Sequence, residues 1–150
     1  MKSLCSRVGS FWLPVFAGFL PITLGCGDSA GTLVLVKGYI KVDDRPLRQG
    51  IVTFYPDVEK GNTSKFAPKG IIQEDGSYVL KTMGKEGAPV GWYRVTITTG
   101  VPPSGAAPSG PSAVPVRINS RYNDPTKTPL VVEVSNTAQP DTYNFKVTPQ

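Results

Sequence analysis

Residues 33–56 read LVLVKGYIKVDDRPLRQGIVTFYP, and the period of their apolar positions decides the fold. Val34, Val36, Gly38, Ile40 and Val42 fall on one face and Lys37, Tyr39 and Lys41 on the other, the alternation of a strand with one side on a core. After a polar break, GIVTFYP places Val52 and Phe54 inward. The break concentrates charge: Asp43, Asp44, Arg45 and Arg48 precede the second strand, and Asp57 and Glu59 follow it. At ~3.3 Å per strand residue the two acidic groups stand about 20 Å apart, too far to make one catalytic or metal site. Asp43 and Asp44 are expected to make turn hydrogen bonds, and Arg45 and Arg48 to solvate a sheet edge.

Downstream the same alternation recurs. KGIIQ (69–73) and SYVLKT (77–82) flank Asp75-Gly76, a pair suited to the positive φ angles of a type I′ hairpin turn. WYRVTITT (92–99) puts Tyr93, Val95 and Ile97 inside and leaves Trp92, Arg94 and Thr96 outside. GVPPSGAAPSGPSAVP (100–115) is too poor in large side chains to pack and is expected to be a flexible surface loop. LVVEV (130–134) and TYNFKV (142–147) bring the strands to seven. With 15 Pro, 16 Gly and no sustained helical period, the expected fold is all-β, a seven-stranded antiparallel sandwich.

A chain of 150 residues holds one ordinary domain, here preceded by a targeting segment. MKSLCSR carries Lys2 and Arg7, and FWLPVFAGFLPITL (11–24) is an uncharged run of 14 residues, too short to span a bilayer but suited to a signal peptide. Residues 1–25 are therefore expected to be a lipoprotein-type signal peptide, 26–32 a tether and 33–150 the folded domain. LGC, followed by Gly27 and Asp28, resembles the lipobox of bacterial lipoproteins, although Thr23 stands where such motifs usually place Leu. Cys26 is the expected lipidation site, and acyl chains there would hold the protein on a membrane. Cys5 lies in the segment to be removed, which leaves no second cysteine for an internal disulfide, so stability must come from the core. Beyond residue 25 the chain carries 14 Lys and Arg against 11 Asp and Glu, scattered singly, and nucleic-acid binding is not expected.

VKGYIKVDDRPLRQGIVTFYP, IIQEDGSYVLKT, GAPVGWYRVTI and RYNDPTKTPLVVEV together resemble the carboxypeptidase regulatory-like domain, over roughly residues 34–148. The resemblance implies an immunoglobulin-like, transthyretin-like β-sandwich of the kind found in small bacterial envelope lipoproteins. It assigns mechanical jobs to its motif residues. Asp75-Gly76-x-Tyr78 joins two strands and plants an aromatic in the core, and Pro89-x-Gly91-x-Tyr93 enters the next strand through a rigid turn. Tyr93 is expected to act as a tyrosine corner, its hydroxyl bonded to a nearby backbone group. Arg117, Arg121 and Tyr122 resemble the fixed connector before the sixth strand. Asp43-Asp44 replaces the family's usual Asp-Gly, a change that Asp tolerates through the left-handed region.

No catalytic arrangement is expected. The chain has no histidine, which removes Ser-His-Asp, Cys-His and histidine-based zinc chemistry, and a single mature cysteine cannot build a thiolate cage. Ser77 and Lys81 share a strand face, but a hairpin edge supplies no oxyanion pocket. Glu74-Asp75-Gly76 lacks the further oxygens that calcium needs. The expected protein is thus a non-enzymatic, cofactor-free and metal-free envelope module, with the membrane, envelope proteins or polysaccharide as partners. The alternative is a carbohydrate-binding module, for which the candidate sugar platforms are Trp92, Tyr39 and Tyr55.

Overall fold

The computed structural model describes residues 31–100 and 116–150; the expected signal segment (1–25), Cys26 and most of the Pro/Gly/Ser/Ala run lie outside them. Twelve short strands are present among the described residues: β1 (Leu33–Val34), β2 (Lys37–Val42), β3 (Arg45–Pro46), β4 (Gly50–Pro56), β5 (Lys69–Ile72), β6 (Ser77–Val79), β7 (Lys81–Thr82), β8 (Lys85–Glu86), β9 (Ala88–Pro89), β10 (Gly91–Thr98), β11 (Val131–Val134) and β12 (Phe145–Val147). The chain is all-β, but two of the expected seven strands are split, 33–42 into β1 and β2 and 77–82 into β6 and β7, and the two-residue strands β3, β8 and β9 lie outside the expected segments. SYVLKT breaks at Leu80 because its halves join different sheets, β6 pairing with β2 and β7 with β5.

One sheet runs β11-β10-β4-β5-β7-β8, and a smaller one places β2 between β12 and the pair β3 and β6. The ladders are antiparallel except that of β12 on β2, which is parallel and corrects the all-antiparallel expectation. The two sheets face each other in a sandwich-like arrangement. Val36 just before β2, Ile40 and Val42 of β2, and Phe145 and Val147 of β12 share a core with Val52 and Phe54 of β4 and Tyr93, Val95 and Ile97 of β10. The Phe54 ring of the large sheet meets Phe145 of the small sheet edge-on at 6.1 Å and Tyr93 of its own sheet at 5.8 Å, geometries favoured by aromatic quadrupoles.

Turn chemistry departs from expectation in an instructive way. Asp75-Gly76 is not a type I′ turn. Gly76 N–H donates to Gln73 O, centring the turn on Glu74 and Asp75, and of the pair only Gly76 has positive φ, which makes a three-residue loop closed by a glycine bulge. The type I′ geometry occurs instead at Asp43-Asp44 (φ 46° and 66°), between the paired residues Val42 and Arg45, and again at Met83-Gly84 (φ 50° and 82°), between Thr82 and Lys85.

Tyr93 is a tyrosine corner: its hydroxyl donates to Pro89 O at 2.9 Å and its side chain is buried. Tyr122 is buried as well, in a 3-10 turn (Ser120–Asn123) that packs on β10. Arg121 donates to the Tyr122 hydroxyl at 3.0 Å, and Arg117 O accepts from Gln150 N–H, so this connector docks on the C-terminal residues.

Candidate functional site

The three candidate aromatics do not converge. Tyr55 on β4 and Trp92 on β10 share the outer face of the large sheet, with Arg94 directly opposite Tyr55. Tyr39 is on the outer face of the small sheet, across the core from both.

Around Trp92 the molecule has built its own partners. After β4 the chain turns back through Asp57, whose N–H donates to Trp92 O and whose carbonyl accepts from Lys60 and Asn62. Asn62 Nδ2 also donates to Trp92 O at 2.7 Å. This loop carries Lys60 Nζ to 3.9 Å from the Trp92 ring centroid, a cation–π contact that occupies a face a sugar would need. Trp92 is half-buried rather than outward and open, and Thr96, also expected outside, is buried beside its cross-strand partner Thr53. Alternation decides which face a side chain takes, but not whether that face is covered.

Arg94 explains half of the acidic cluster. Its Nε lies 3.3 Å from Asp57 Oδ2 and its Nη2 pairs with Glu59. Asp57 is only 2% exposed, and its Oδ2 has no hydrogen bond, so the guanidinium charge is what balances it. The other half lies elsewhere: Asp44 accepts from Lys146 at 2.8 Å. That ammonium holds the Asp44 carboxyl below its ordinary value, while Asp44 raises Lys146. The two acidic groups are thus separate ion pairs. Their partners Arg94 and Lys146 are not legible in the sequence because they stand 35 and 102 residues from Glu59 and Asp44.

The small sheet presents a different surface. Tyr39 is 49% exposed and, with Lys41, Asn144, Phe145 and Lys146, lines a cleft of ≈ 400 Å³ between β2 and β12. Asn144 is pinned on both sides: its Oδ1 accepts from Tyr39 N–H at 2.8 Å, and its Nδ2 donates to Asp141 Oδ1 at 2.6 Å. A second groove, ≈ 590 Å³, opens where β6 leaves β5, with Ile51, Ile71 and Val79 in its walls and Ser77, Lys81 and Glu86 among its polar residues.

Among the described residues no three His, Cys, Asp or Glu side chains gather to hold a metal ion, and no helix is long and apolar enough to cross a membrane. Compared with known protein families, curated proteins and solved structures, the chain matches none.

Proposed function

We propose that the protein is a non-enzymatic, exported module of the bacterial cell envelope, anchored by lipid at Cys26 and built as an immunoglobulin-like, transthyretin-like β-sandwich of the carboxypeptidase regulatory-like kind. One observation carries this reading: the residues behind the resemblance are engaged in holding strands together. Tyr93 caps its own turn at Pro89, and Tyr78 reaches Tyr143 O. Asp43 and Asp44 adopt the left-handed turn that the resemblance requires of them. Both tyrosine hydroxyls are used within the fold itself, which suits a module that binds or spaces rather than one that turns over substrate.

The test is the intact mass of the native protein from the membrane fraction. A chain beginning at Cys26 and carrying acyl groups is expected. A soluble, unmodified chain would overturn the anchor and favour a free secreted protein.

A second reading, glycan binding, is favoured by the exposure of Tyr39 at the cleft between β2 and β12. Trp92 and Tyr55 contribute less to it. The Trp92 ring already carries an ammonium, and Tyr55 stands against an arginine held by two acids.

A further inference from the structure

We infer that the cleft between β2 and β12 binds an acidic polysaccharide, one sugar ring resting on Tyr39 and its carboxylate or phosphate paired with Lys41 and Lys146. The inference rests on the glycan-binding reading and specifies both the place and the charge of the ligand.

Three observations point there. An exposed aromatic lies in the same cleft as two ammonium groups, the combination that takes a sugar face and an anion together. The strand pair holds the arrangement in place, since Lys41 is directly across from Lys146 in the parallel ladder and Asn144 is fixed by Tyr39 N–H and Asp141. Lys37 continues the basic strip along β2, about 13 Å from Lys41 at ~3.3 Å per residue. That spacing suits an extended polyanion better than a single small anion.

Acids border the cleft as well: Asp44 pairs with Lys146, Asp43 lies near enough to act on the Lys146 charge, and Asp141 is bonded to the neutral amide of Asn144 and makes no salt bridge among the described residues. The free positive charge of this face is therefore that of Lys41 and Lys37, which are exposed and make no salt bridge among the described residues. The Asp44–Lys146 pair is exposed on both sides, and such pairs contribute so little that Lys146 can be shared with an incoming anion. On the outer face of the large sheet the cations set against the aromatics are already engaged: Lys60 covers Trp92, and Arg94, opposite Tyr55, is paired with Asp57 and Glu59, of which Glu59 would repel an acidic chain.

Full-length protein should be retained in affinity electrophoresis through polygalacturonate and pass freely through a neutral glucan. Tyr39→Ala and Lys41→Glu, both at exposed positions, should each weaken retention by about tenfold while leaving thermal unfolding unchanged. Raised salt should weaken it too. Retention that neither substitution alters would overturn the assignment. Retention by neutral glucan alone, lost in Tyr39→Ala, would end the acidic specificity and leave glycan binding standing, whereas retention by neither polymer would end both. Binding to anionic phospholipid vesicles that falls with Lys41→Glu but not with Tyr39→Ala would make the face a lipid contact and overturn the polysaccharide.

Discussion

The Tyr78 hydroxyl donates to the main-chain carbonyl of Tyr143 at 2.6 Å, joining residues 65 positions apart inside the core. Gly38, opposite Tyr78 in the β2–β6 ladder, makes the approach possible: a Cβ there would lie 2.1 Å from the Tyr143 oxygen, closer than any real contact. Gly38→Ala must therefore push the 143 backbone away and break the bond. Its loss of stability should exceed the roughly 1–3 kcal/mol typical of overpacking. Tyr78→Phe, which removes the donor alone, should lower stability by about 1–2 kcal/mol. Urea denaturation of the two variants checks the order.

Burial raises the Tyr78 hydroxyl well above its ordinary value of 10.0, and burial raises Tyr93 as well. A folded-state value above the unfolded one means that the stabilisation is complete below pH 10 and is lost as pH rises further, where the unfolded chain gives up protons that the fold retains. Stability should fall steeply above pH 10. Tyr78→Phe should flatten that fall; a profile as steep as that of the parent would show the hydroxyl to be accessible.

Arg94 balances a carboxylate that has no hydrogen bond at Oδ2. Arg94→Met should leave Asp57 charged and buried, at about 3 kcal/mol of stability, while the double change Arg94→Met with Asp57→Asn should recover much of the loss. Chemical denaturation of the four proteins in this cycle measures the coupling. Additive effects would mean that the pair does not interact.

The left-handed φ of 66° at Asp44 strains any residue with a Cβ. Asp44→Gly should raise stability by about 0.5–1 kcal/mol despite the lost Lys146 contact, because exposed pairs contribute little. Asp44→Val, β-branched in the same conformation, should lower it. Thermal unfolding of both variants decides whether the turn is type I′ in solution.

Acid should also weaken the fold. Asp44, held down by Lys146, and Asp75 and Asp124, held down by hydrogen bonds from Ser77 and Thr126, all lie below the ordinary 3.8. Depressed values mean stability that is present above pH 3.8 and lost as pH falls through the folded-state values. Asp75→Asn, which keeps an acceptor but no charge, should lower stability near neutral pH and flatten its fall in acid, as urea denaturation at a series of pH values would measure.

Most of the architecture was legible from local pattern. Alternation correctly placed Val36, Ile40, Val42, Val52, Phe54, Tyr93, Val95 and Ile97 inside, because a pleated strand turns every second side chain to the same face whatever it later meets. Proline and glycine likewise marked breaks between strands, and the resemblance implied a tyrosine corner at Tyr93, whose partner Pro89 O is only four residues away.

Partnership was not legible. Nothing local distinguishes Trp92, which Lys60 covers, from Tyr39, which stays open, since both occupy outward strand positions and differ only in what a distant loop lays over them. The same holds for Asp57, which resembles surface decoration until Arg94 arrives from β10, and for SYVLKT, whose division between two sheets depends on which neighbour each half meets. By itself the sequence determined where the longer strands and the breaks between them fall and which apolar side chains face inward, all set by the conformational preferences of neighbouring residues. Only the tertiary structure decided which outer face is covered and which charges pair, because burial and ion pairing depend on distances between segments that no local period encodes.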